Sequence, residues 1–132
     1  MVNSPLRVLV IDDEAIVGKR LLLALTDSGY DVEVFVDPKQ ALGRLAERSF
    51  DIVVTDVRMQ DVDGIQILEA VAAQSPATKV IMITAYATIE VAHEAIAKGV
   101  FDFIPKPFKV SEFLDVMSKA SAAIRAESPA PV

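Results

Sequence analysis

Three aspartates, a threonine and a lysine each stand where an apolar run ends. Asp12 and Asp13 close Val8-Leu9-Val10-Ile11, and Asp56 closes Ile52-Val53-Val54-Thr55. Thr84 follows Val80-Ile81-Met82-Ile83, and Lys106 comes just after the Phe101/Phe103 segment. Burying a carboxylate costs several kcal/mol unless it is paired or bound to metal, so an aspartate at a strand's end must cap something, end the strand at the surface or hold a partner. Two like charges 4 Å apart repel by roughly 4 kcal/mol at an effective dielectric near 20. Three gathered carboxylates would therefore consume much of a domain's typical ~5–15 kcal/mol of stability. A divalent cation relieves that repulsion, and an all-oxygen donor set suits Mg²⁺, or a similar hard ion such as Mn²⁺, better than zinc. Because Mg²⁺ combines one or two carboxylates with waters and phosphate oxygens, such a site suits an incoming phosphoryl group. Asp56 is then the candidate nucleophile, forming an aspartyl-phosphate. Lys106 and the metal would stabilise charge on the transferring oxygens, and Thr84 would offer its hydroxyl to one of them.

These groups converge only if the elements bring them together. The runs ending at Ile11, Val54 and Ile83 are continuously apolar, as parallel strands buried on both faces require. Val32, Val34 and Val36 alternate with Glu33 and Phe35, and Phe101 and Phe103 flank Asp102, so these two segments suit sheet edges. Between them lie helical spacings: Val17, Leu21 and Leu25; Leu42 and Leu45; Ile65, Leu68 and Ala72; Ile89, Ala92 and Ile96; Val110, Leu114, Met117 and Ile124. Glu90, Glu94 and Lys98 back the fourth stripe, and Gly29 and Gly99 sit where helices should stop. The alternation predicts an α/β fold: a flavodoxin-like, doubly wound (βα)5 three-layer sandwich with a parallel sheet of strand order 2-1-3-4-5. Ligands bind such sheets beyond the carboxyl ends of the strands, where the strand order reverses. Here that point lies between the first and third strands, so Asp12, Asp13 and Asp56 should meet there, with Thr84 and Lys106 beside them.

Composition removes other classes. The 132 residues fit one domain, expected over 1–126, with 127–132 (ESPAPV) reading as a tail or linker that tilts towards a piece of a longer protein. Without cysteine there is no disulfide, thiol nucleophile or thiolate metal site. The absence of cysteine fits a reducing cytoplasm, the expected location. The formal net charge is −6 with no Lys/Arg run, so direct nucleic-acid binding is not expected. No apolar run approaches the ~18 residues of a membrane helix, and the start of the chain reads as neither signal nor transit peptide.

Competing chemistries also fail. A flavin carrier of this fold needs a phosphate-cradling loop after the first strand, where this chain has Asp12, Asp13 and Glu14. An aspartate-nucleophile phosphatase would place an acid two residues after Asp56, where Arg58 stands. Neither G-x-G-x-x-G nor G-x-x-x-x-G-K-[ST] is present. Asp61-Val62-Asp63-Gly64 cannot be a calcium loop, because alignment on its glycine puts Met59 and Ala70 at ligand positions. One of these aspartates capping the third helix is the better account.

The segments IDDE, VVTDVRMQDVDG, ITAYAT and FDFIPKPF together resemble the receiver domain of two-component response regulators, over about Arg7 to Ala126. The resemblance implies that Asp56 accepts a phosphoryl group from a histidine kinase or a phosphotransfer protein. It implies Mg²⁺ (or Mn²⁺) held by Asp13, Asp56 and the Arg58 backbone carbonyl, with Asp12 acting mostly through water. Lys106 would contact the phosphoryl group, its bond to Pro107 would be cis, and Thr84 and Phe103 would move as the switch. Arg58 and Tyr86 would border the site and tune the phosphate's lifetime. Gln60 departs from the proline common at its position. The TAYATIEVAHEAIAKG stretch is similar to receivers of transcriptional activators, which implies transcription regulation as the output of a signalling domain that catalyses only its own phosphorylation and dephosphorylation. Output would pass through the face of the fourth helix, fifth strand and fifth helix, by homodimerisation or release of an attached domain. The alternative within the family is a stand-alone or degenerate receiver acting as a protein-interaction module.

Overall fold

The computed structural model describes residues 4–127. The expected tail therefore lies outside the described residues except for Glu127, which is still helical. Ten elements alternate: β1 (Arg7–Ile11), α1 (Ala15–Asp27), β2 (Asp31–Phe35), α2 (Pro38–Glu47), β3 (Ile52–Asp56), α3 (Gly64–Gln74), β4 (Lys79–Thr84), α4 (Ile89–Ala97), β5 (Asp102–Pro105) and α5 (Val110–Glu127). The strands form one parallel sheet in the order β2-β1-β3-β4-β5. This is the doubly wound arrangement that the apolar pattern predicts.

Because side chains alternate across a strand, each central strand feeds two cores. Val8, Val10, Ile52, Val54, Ile81 and Ile83 face α1 and α5, where they meet Leu21, Leu25, Phe113 and Met117. Leu9, Ile11, Val53, Val80 and Met82 face α2, α3 and α4, meeting Ala41, Ile67, Leu68 and Val71. Both layers are needed to cover a sheet that is apolar on its two sides.

Helix ends follow local chemistry. Asp63 caps α3, accepting from the Gln66 N–H while the Gln66 side chain accepts from the Asp63 N–H, a complete capping box. Asp37 and Thr88 cap α2 and α4 through their own side chains. After α1 and α4 the chain turns at Gly29 and Gly99, both at φ 91°, a conformation glycine adopts without a Cβ penalty.

Two helix faces differ from the spacing-based expectation. In α3 the buried side is Ile65, Ile67, Leu68 and Val71, while Ala72 is exposed. In α4 only Ala95 is fully buried, with Val91 packed against the core. Ile89 and Ile96 are 71% and 66% exposed. The i, i+7 spacing of the isoleucines is helical, but spacing alone does not say which of two apolar stripes meets the sheet.

The edge strand β2 carries Glu33, whose carboxylate accepts from Arg44 Nε and Nη2 at 2.8 and 3.0 Å and from Arg48 Nη1 at 2.8 Å. The Arg44 hydrogen bond, outweighing partial burial, holds the Glu33 carboxyl below its ordinary range. A carboxyl depressed on folding adds stability above its unfolded value of about 4.5, and that stability is lost as pH falls through the lower folded value. Glu33→Gln should therefore cost about 1 kcal/mol at neutral pH, the scale of a well-aligned partly exposed pair. Urea unfolding as a function of pH should show the gap between mutant and wild type closing in acid.

Candidate functional site

β1, β3, β4 and β5 run parallel, so their carboxyl ends lie at one edge of the sheet. Register aligns Ile11 with Thr55, Asp56 with Ile83 and Thr84 with Pro105. Asp12, Asp56 and Thr84 thus arrive on adjacent strand ends. The Lys106 N–H donates to the Thr84 carbonyl at 2.8 Å, which fixes the start of the next loop beside β4. The Lys106–Pro107 peptide bond is cis.

One carboxylate oxygen from each of Asp12, Asp13 and Asp56 lies within 4.8 Å of the other two. Asp12 is fully buried, Asp56 nearly so, and Asp13 exposed. Asp12 Oδ1 accepts from the Glu14 N–H at 2.9 Å, and Asp56 Oδ1 accepts from the Val57 N–H at 2.6 Å. No protein group among the described residues donates to the Asp13 carboxylate. An oxygen-only set with one uncommitted carboxylate fits a hard divalent cation. Arg58, whose backbone carbonyl is the further candidate ligand, lies two residues past Asp56 in the β3–α3 loop.

The Lys106 ammonium reaches three carboxylates at once: Glu14 Oε1 at 2.8 Å, Asp12 Oδ2 at 2.9 Å and Asp56 Oδ2 at 3.0 Å. Burial disfavours its charge, but the hydrogen bonds to Glu14, Asp12 and Asp56 outweigh that and hold its pKa above the ordinary lysine range. Burial pushes the Asp12 carboxyl up from its usual value, against the opposing Glu14 N–H and Lys106. One ammonium among four nearby acids leaves the pocket net negative, ready for a cation of higher charge.

Thr84 is fully buried, and its Oγ1 accepts from the Tyr86 N–H at 3.0 Å. The Arg58 guanidinium stacks on the Tyr86 ring, 4.5 Å from its centroid. Phe103 is half-buried on β5 and packs against the α2–α3–α4 core. In the loop after Arg58 the Gln60 carbonyl accepts from the Val62 N–H at 2.7 Å around Asp61, which has φ 69°. Asp61 in turn pairs with Lys39 at 3.4 Å. Aspartate tolerates this left-handed conformation better than most residues. His93 is exposed on α4.

Glu14 is the site contact that spacing did not reveal. It sits directly after Asp12-Asp13, and only the path of the β5–α5 loop brings Lys106 to it. The resemblance puts Arg58 and Tyr86 at the border of the site, but their stacking was not legible, since the two residues come from different loops.

A family model described as the response regulator receiver domain matches residues 8–118. The transcriptional regulatory protein ZraR of Escherichia coli is 37% identical, over 98% of this chain and 30% of its own length. The regulatory protein AtoC of Escherichia coli is 35% identical, over 86% of this chain and 25% of its own. This chain thus spans less than a third of either relative. Among solved structures, a CheY-like response regulator receiver domain protein from Methanospirillum hungatei superposes with a TM-score of 0.91 at 25% identity. That match covers 95% of this chain and all of the other.

Proposed function

The chain belongs to the response regulator receiver family of two-component systems, and from that premise we propose that it takes a phosphoryl group onto Asp56 in a Mg²⁺-dependent reaction. The donor is a phosphohistidine of a histidine kinase or phosphotransfer protein. The observation that carries the reading is the meeting of Asp12, Asp13 and Asp56 within 4.8 Å, with the Lys106 ammonium on two of them.

In the step, an Asp56 carboxylate oxygen forms the bond to phosphorus while the donor's N–P bond breaks, its electron pair staying on the imidazole. The Val57 N–H on Oδ1 holds the carboxylate in one orientation, so an approaching donor meets an ordered nucleophile. Lys106 sits within hydrogen-bond reach of Oδ2 and can follow negative charge onto the phosphoryl oxygens. A divalent cation held by Asp12, Asp13, Asp56 and the Arg58 carbonyl would neutralise charge on the phosphoryl group. Thr84 offers its hydroxyl proton to a phosphoryl oxygen, because its oxygen already accepts from Tyr86 N–H and the proton remains free to turn. Movement of Thr84 would leave room for Phe103, which is only half-buried, to turn inward. Arg58 and Tyr86, stacked on each other, would border the site and tune phosphate lifetime.

The readout would pass through α4, β5 and α5, to an output domain or a second copy, in regulation of transcription. Exposed Ile89 and Ile96 support that face as the docking side, and the names of the relatives support transcription as the output. Residues 1–126 would be the receiver and 127–132 a C-terminal tail or linker, working in the cytoplasm without touching DNA or membrane directly.

Intact mass after incubation with acetyl phosphate tests the core of this. Wild type should gain one phosphoryl adduct that requires Mg²⁺, and Asp56→Asn should gain none. An adduct that persists in Asp56→Asn would place the acceptor elsewhere. No adduct from acetyl phosphate or from a phosphorylated histidine kinase would leave an interaction module without phosphotransfer.

A further inference from the structure

An ammonium has three protons, and in Lys106 each has a different carboxylate acceptor: Glu14, Asp12 and Asp56. A phosphoryl oxygen arriving at Asp56 therefore finds no free donor on Lys106, and one existing bond must open. The three differ sharply in what opening would cost. Asp12 is fully enclosed, so losing the lysine would leave a buried charge uncompensated, and Asp56 is the group being modified. The Glu14 side chain is 59% exposed and would pass into water, where an exposed ion pair is worth little.

We propose that Glu14 is a positioning residue that holds the Lys106 ammonium over Asp56 and is displaced from it when a phosphoryl group binds, so that it competes with that group for the lysine. This inference rests on Asp56 being the acceptor.

Two independent features fit this role. Glu14 occupies the N-cap of α1 but makes no side-chain capping bond, so its carboxylate is spent on Lys106 rather than on the helix it begins. Beside it, a groove of about 350 Å³ runs along Val17, Arg20, Pro107 and Phe108. Arg20 lines this groove and makes no ion pair among the described residues. A displaced Glu14 carboxylate thus has both space and a nearby cation.

The test is the affinity of the full chain for beryllofluoride, measured by titration calorimetry in saturating Mg²⁺, for wild type, Glu14→Gln and Glu14→Asp. Removing the competitor should tighten binding about three- to fivefold, the scale of one exposed ion pair. Aspartate separates a specific clasp from general charge repulsion. It keeps the charge, but it is one methylene shorter and favours the helix cap, so it should leave Lys106. The clasp therefore requires Glu14→Asp to bind like Glu14→Gln. If Glu14→Asp binds like wild type while Glu14→Gln binds tighter, the effect is repulsion alone and the clasp is overturned. Unchanged or weaker binding by Glu14→Gln also overturns it. In either case beryllofluoride binding by wild type leaves Asp56 standing as the acceptor, whereas failure of all three to bind removes both readings. Neither substitution breaks a helix cap, so thermal midpoints without beryllofluoride should confirm folding of each variant.

Discussion

Gly64→Ala should destabilise the protein by about 2 kcal/mol and impair the proposed phosphotransfer at Asp56 in the same stroke. Substituting alanine for glycine in a helix ordinarily gains up to ~1 kcal/mol, so the sign has to be decided by space. A Cβ on Gly64 would fall inside contact distance of the Asp56 carbonyl oxygen and 2.9 Å from Val57 Cα. Both are backbone atoms and cannot rotate away as a side-chain tip would. Overpacking typically costs ~1–3 kcal/mol, and a backbone clash belongs at the upper end, which outweighs the helical gain. The Gly64 N–H also donates to the Val57 carbonyl at 2.7 Å, and the Val57 N–H orients the Asp56 carboxylate. Relief of the clash must therefore move the segment that presents Asp56, the proposed acceptor. Urea unfolding would give the stability loss, and the rate of adduct formation at a temperature where the mutant is folded would give the loss of presentation. A mutant as stable as wild type and phosphorylated at the same rate would mean that the α3 start yields without moving β3.

Replacing Lys106 by methionine should have a larger effect still. The side chain is 12% exposed and touches Asp12, which has no exposure, and Asp56 at 7%. Breaking a buried pair by removing one partner typically costs ~3–5 kcal/mol, because the remaining charge is left uncompensated. Here two enclosed carboxylates lose the same cation, while the Glu14 contact, being exposed, adds little. A loss of about 3 kcal/mol is expected at neutral pH in the absence of divalent metal. Since a ligand bound only by the folded state stabilises it by mass action, millimolar Mg²⁺ should restore more stability to Lys106→Met than it adds to wild type. Thermal unfolding of both proteins with and without Mg²⁺ measures this. Equal Mg²⁺ increments would mean that the lysine does not shield the carboxylates proposed to hold the metal.

The sheet and its edge of acids were legible because they follow from short-range rules. Continuously apolar runs ending at Ile11, Val54 and Ile83 suit central parallel strands, and the strand order then brings Asp12, Asp13 and Asp56 to one place. Sequence could not show what depends on how helices rotate or loops travel. The α4 stripe is a case in point: Ile89 and Ile96 repeat at helical spacing as well as any core residues, yet Val91 and Ala95 face the sheet. Ala72 fails in the same way beside Val71. Glu14 reads as one more acid in a negative turn until the β5–α5 loop delivers an ammonium to it, 92 residues later in the chain. The left-handed Asp61 is hidden for another reason. With Gln60 in place of proline, nothing local fixes the loop, and its shape is set by the Gln60–Val62 turn and the tie to Lys39.

The lysine that neutralises the acidic edge comes from the last loop of a sheet whose other members are complete by residue 84. On the ribosome, β1, β3 and β4 emerge well before that lysine does. A nascent chain stopped short of β5 would have to close its two central strand ends over Asp12 and Asp56 with no ammonium between them. The uncompensated charge penalises such a truncated sheet and favours waiting until the final βα unit has been made.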